Sequence, residues 1–134
     1  MEERTYGGKR GHEGTDLMPP TNQRGFYPVF SATAGTVEHM GWLQKGGWRI
    51  GIRSEQGGYF YYAHLSEYAP GMEEGKTVEA GEMLGYMGDS GYGEEGTVGQ
   101  FAVHLHFGIY IQTADGREVS VDPYWILKGL EGEP

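Results

Sequence analysis

The chain has 134 residues, no cysteine, and 10 Lys and Arg against 19 Asp and Glu, a formal charge of −9. That length suits one domain, residues 1–134, with a real core. The charge disfavours nucleic-acid and anionic-membrane partners, because no basic stripe is available to release phosphate counterions.

Without cysteine there is no disulfide framework, thiolate metal site or thiol nucleophile, so any bound metal is held by imidazole and carboxylate. No run is apolar enough to span a bilayer and no signal peptide heads the chain. The abrupt polar start close to His12 leads to the expectation of an export or anchoring segment encoded upstream. Glycine stands out at 25 residues, well above the usual ~7%. Many turns between short β-rich segments, with no long helical periodicity, predict an all-β, mainly antiparallel sheet or sandwich.

Taken in order, Met1 to Gly11 is polar and extended at its start, and Leu17 to Gly25 is a loop bearing Pro and Gly. Strands are predicted over Pro28 to Ala32, Gly35 to Met40 and Trp48 to Arg53. A hairpin turn at Glu55 to Gly58 leads into a strand at Tyr59 to Leu65. Gly75 to Gly85 sets short apolar positions between glycines, as tight corners require. Gly88 to Gly99, with Asp89, Glu94 and Glu95, reads as a mobile, solvated loop. Beyond the next strand come a turn at Asp115-Gly116, a last strand at Val119 to Val121, and a short helix or turn opened by Asp122-Pro123 around Tyr124 to Leu127.

The chemistry concentrates in Ala102 to Ile111. Strand alternation puts His104 and His106 on one face with Gly108 and Tyr110, and Val103, Leu105, Phe107, Ile109 and Ile111 on the core face. Two imidazoles side by side on a rigid strand suggest a metal or acid-base site. Upstream, a turn around Gly14 can bring His12 and a carboxylate of His12-Glu13-Gly14-Thr15-Asp16 to one point. With one imidazole of the later strand this makes two His and one carboxylate, which leaves a fourth tetrahedral position for water. His39 is read as solvent-facing. The aromatic run Tyr59 to Tyr62 is read as core and groove wall.

These residues resemble the lysostaphin-type, or LytM-like, zinc metalloendopeptidases of bacterial cell-wall peptidoglycan, over about Tyr6 to Pro123. The resemblance rests on His-x-x-x-Asp at His12 and Asp16, Tyr-Ala-His-Leu-Ser at Tyr62 to Ser66, and Gly-x-x-Val-x-x-Gly-x-x-Leu-Gly at Gly75 to Gly85. His-Leu-His-Phe at His104 to Phe107 and Val-Asp-Pro at Val121 to Pro123 complete it. It implies that His12, Asp16 and His106 bind one Zn²⁺ with a water at the open position. It further implies that His104 and His64 serve as general base and transition-state stabiliser, and that Tyr6 assists the oxyanion. The implied protein is a monomer outside the cell or in its envelope, the catalytic part of a longer exported chain that hydrolyses peptidoglycan peptides. A non-catalytic scaffold or activator module is the alternative, disfavoured because all three ligands and both site histidines are kept. The loops Met18 to Tyr27 and Gly91 to Val103 are longer than usual for the family, and Gly108 stands where many members have Glu.

Overall fold

The structure, a computed structural model, describes residues 14–121, and these contain nine strands and no helix. The predicted terminal turn or helix beyond Val121 lies outside the described residues, as do Tyr6 and His12. The strands are β1 (Thr15–Leu17), β2 (Pro28–Phe30), β3 (Gly35–Leu43), β4 (Gly47–Ser54) and β5 (Tyr59–Tyr68). They continue with β6 (Thr77–Val78), β7 (Met83–Met87), β8 (Leu105–Gln112) and β9 (Glu118–Val121).

All pairings are antiparallel, and the strands form one sheet in the order β1-β8-β5-β4-β3-β6. β1 and β9 share one edge of β8, at Leu105 to Phe107 and at Ile109 to Gln112 respectively. β5, rich in the aromatic residues that favour pleated, half-buried strands, runs long enough to serve two neighbours. It pairs with β8 through Tyr59 to Ala63 and then with β7 from Leu65 onward; β7 in turn pairs with β2.

The predicted alternation of β8 holds for most of its length. Val103, Leu105, Phe107 and Ile109 are buried, and the last three pack with Val29, Val37, Ile50, Ile52, Tyr62, Leu65, Val78 and Leu84 in the main core cluster. Ile111, expected on the core face, is instead 44% exposed, because the strand there runs out beyond the core alongside β9.

A second departure decides the site. Along β4 the pairs Trp48↔Leu65 and Ile50↔Tyr62 oppose two steps on β4 to three on β5, so β5 carries a bulge at Ala63 and His64. Strict alternation would put His64 on the buried face with Tyr62. The extra residue turns it to the opposite side, the service a β-bulge supplies beside a functional site.

Candidate functional site

The site grows out of strand register. Asp16 of β1 lies directly opposite His106 of β8, and Ala63 of β5 lies opposite His106 on its other side. His104 enters β8 through a single bridge to Gly88, and by parity it shares the face of His106. The bulge delivers His64 to the same place: its ring centroid lies 4.8 Å from that of His104 and 6.2 Å from that of His106. Three imidazoles and one carboxylate thus meet on one face, walled by Tyr61, Tyr92 and Phe101.

Each imidazole is oriented by what its Nδ1 touches. His64 Nδ1 lies 2.7 Å from the Ser90 carbonyl, and His104 Nδ1 lies 2.9 Å from that of Ala102. A carbonyl only accepts, so both rings carry a proton on Nδ1, which leaves Nε2 as the nitrogen available for proton exchange. His106 Nδ1 donates to Asp16 Oδ1 at 2.8 Å, and His104 Nε2 stands 3.8 Å from the same oxygen. The hydrogen bond from His106 holds the Asp16 carboxyl below the usual carboxylate range, against a desolvation that raises it; the charges of the nearby imidazoles add to the lowering.

His64 is held the most firmly. It is 6% exposed, and its backbone sits in the left-handed region at φ 66°, a conformation costly for a residue with a Cβ. Its amide donates to the Gly46 carbonyl at 2.7 Å. The fully buried Ser90 donates its hydroxyl to the Leu65 carbonyl and accepts from the Trp48 amide, so the carbonyl that orients His64 is itself fixed. Gly91 completes the seat: a Cβ there would stand 2.3 Å from the Lys45 carbonyl and 3.1 Å from His64 Nδ1. Burial pushes the His64 imidazole down to about 4; the bond to Ser90 opposes this and the neighbouring imidazoles reinforce it. The ring is therefore neutral near pH 7.

Asp89, expected in a solvated loop, proves 6% exposed and accepts both Arg24 Nε and Nη2, at 2.7 and 3.1 Å. With Asn22 Oδ1 accepting the Val103 amide and Gly25 donating to the Met87 carbonyl, this pair pins the 18–27 loop beside the imidazoles. His39 is half-exposed, as expected, with a bond to the Tyr59 hydroxyl.

No local pattern of residues marks the bulge at His64 or the Ser90 and Gly91 seat. Of the predicted site residues the structure brings together Asp16, His64, His104 and His106. Among the described residues no three of His, Cys, Asp and Glu are grouped as a metal cage. Asp16 and His106 nonetheless fit a zinc ion in donor type, a carboxylate oxygen and an imidazole nitrogen 2.8 Å apart with no thiolate.

Imidazoles with defined tautomers beside a carboxylate, carried on an all-β sheet, define a site for hydrolytic or acid-base chemistry. The chain belongs to peptidase family M23, whose family profile matches residues 10–123. It is 46% identical over 129 residues to the L-Ala–D-Glu endopeptidase of Bacillus subtilis (strain 168), covering 96% of this chain and 38% of that protein. A crystal structure from Ruminococcus gnavus ATCC 29149, described as a candidate glycyl-glycine endopeptidase lytM, superposes with a TM-score of 0.87 at 60% identity, covering 96% of this chain and 51% of that one. The catalytic domain of lysostaphin from Staphylococcus simulans superposes with a TM-score of 0.66 at 30% identity, covering 87% and 79%. The chain thus spans about half or less of the first two proteins.

Proposed function

We propose that this domain is a zinc-dependent endopeptidase that hydrolyses peptide bonds of bacterial cell-wall peptidoglycan. The carrying observation is the convergence of Asp16, His64, His104 and His106 on one sheet face with their ring nitrogens already oriented. The relatives described as peptidases support the reaction class. Among them an L-Ala–D-Glu endopeptidase and a candidate glycyl-glycine endopeptidase mark two bond chemistries within reach of such a scaffold.

In this reading Asp16 and His106, with His12 from outside the described residues, hold the metal, and Tyr6 assists the oxyanion. Bound zinc supplies a Lewis acid for the scissile carbonyl and lowers the pKa of a coordinated water from 15.7 toward ~7. The remaining work falls to the chain. His64 and His104 each leave Nε2 as the nitrogen able to exchange a proton, so one, neutral there, takes the proton of the attacking water and the other, carrying a proton there, donates to the developing oxyanion. His64, kept neutral by burial, suits the role of proton acceptor at neutral pH. Tyr92 and Phe101 shield the two rings from bulk water on one side.

The test is digestion of purified peptidoglycans of different bridge chemistry by the zinc-loaded protein, with mass analysis of the released ends. New amino and carboxyl termini at a single bond type, abolished by a chelator and restored by zinc, are expected. Intact polymer in every case, with zinc bound, would leave the scaffold reading in its place.

A further inference from the structure

The outer face of the sheet continues past the imidazoles. Arg49 of β4 lies opposite the bulge of β5, between the pairs Trp48↔Leu65 and Ile50↔Tyr62, and alternation places its side chain away from the buried Ile50, on the side of Gly51. Tyr61, paired with Gly51 and with Gly108, stands on that same face, its ring 6.3 Å from that of His106. Across the face the order is Asp16, His106, Ala63, Arg49. With strands ~4.8 Å apart, the backbones of His106 and Arg49 are therefore about 10 Å apart.

Arg49 is an electrostatic anomaly in a chain of charge −9. Among the described cations, Arg24, Arg53, Lys76 and Arg117 each bond a carboxylate. Lys45 is exposed to water. Arg49 is half-buried, and its Nη1 is buried with no hydrogen-bond partner. A guanidinium partly stripped of water without an anion is costly. The Tyr61 hydroxyl likewise bonds no described group. Because Tyr61 pairs with Gly51, it stands diagonally across from Arg49 on the same face, within reach of long side chains.

We propose that Arg49 and Tyr61 form a carboxylate-binding subsite for the peptide substrate, resting on the endopeptidase reading above. With Nη1 buried, the guanidinium edge formed by Nε–H and Nη2–H offers two parallel donors to a carboxylate, and the Tyr61 hydroxyl adds a third. An extended residue spans at most ~3.6 Å, so with the reach of the arginine side chain the acid belongs to a residue one or two positions from the bond being cut. The subsite selects peptides with a free acid near that bond and discriminates against their amidated forms.

The test uses the zinc-loaded protein and two synthetic peptides, alike except that the residue following the scissile bond carries a free carboxylate in one and a carboxamide in the other. Wild-type protein is expected to favour the acid in kcat/KM by about ten- to hundredfold, as for a hydrogen bond to a charged group, with the difference chiefly in KM. Arg49→Met should collapse that ratio toward one and Arg49→Lys should retain part of it. Equal cleavage of both peptides by the wild type overturns the subsite and leaves the endopeptidase reading intact. Cleavage of neither counts against the endopeptidase reading, and an NMR titration of the Arg49 Nε–H with each peptide then decides the subsite. A shift with the acid only supports it, and no shift or equal shifts overturn it. Because the peptide pair and the titration use wild-type protein, an unfolded Arg49 variant does not remove the test.

Discussion

The two ends of the imidazole cluster are built in opposite ways. His64 is buried in a bulge with a left-handed backbone, its ring nitrogen tied to a carbonyl whose own residue is locked by two further hydrogen bonds. Asp16 sits on a three-residue edge strand with a side chain 56% exposed, joined to β8 by three residue pairs. The buried end spends backbone strain on a fixed direction for one nitrogen, which proton transfer needs. The open end leaves its carboxylate oxygens accessible, as exchange of the proposed metal ion would require.

The sharpest break of this contrast comes from the open end. His106→Ala is expected to lose both bound zinc and hydrolysis, whereas His104→Ala keeps the zinc and loses activity; metal content by atomic absorption alongside a turnover assay checks both. At the buried end, His64→Gln should retain zinc while kcat falls by roughly 10²–10⁴, the range for loss of a positioned acid or base. If zinc were lost from this variant too, the division between the two ends would fail.

A smaller effect reads the burial of His64 directly. Its folded value of about 4 lies below its ordinary 6.5, so the unfolded chain binds the extra proton first as pH falls. This contribution to stability is fully present above about pH 6.5 and is lost as pH drops toward 4, by roughly 3 kcal/mol in all. Thermal unfolding of the metal-free protein across that range should show the slope, and His64→Gln should remove most of it. Smaller again is Gly91→Ala, whose Cβ would press on Lys45 and His64 at a φ of 129°. It is expected to cost about 1–3 kcal/mol and to reduce kcat. Gly57→Ala, equally left-handed at φ 97° but with open space around it, should cost ~1 kcal/mol and leave turnover alone.

What could be read beforehand follows the same division. The faces of β8 were legible because a half-buried strand writes its register as alternation, which placed His104 and His106 opposite Leu105 and Phe107. The all-β class followed from glycine-punctuated short strands. The bulge at His64 was not legible, since alternation counts residues evenly and a left-handed histidine carries no composition of its own. The role of His64 came from resemblance alone. Asp89 was misread because its loop looks polar and glycine-rich, while its partner Arg24 lies 65 residues away. Arg49 passed as the polar half of an alternating strand, and only the structure reveals that its buried Nη1 has no hydrogen-bond partner among the described residues.

The short edge strand β1 has a consequence for how the protein is assembled. An element held by three residue pairs at a sheet margin opens more readily than the core strands and sits at the low end of local stability. A metal bridging Asp16 and His106 would clasp that margin to the interior, so occupancy and local order become one equilibrium. Amide exchange at Thr15 to Leu17 should then slow on zinc loading far more than exchange at Tyr62 or Leu65. The bound ion would thus be a fastener of the chain as well as a reagent.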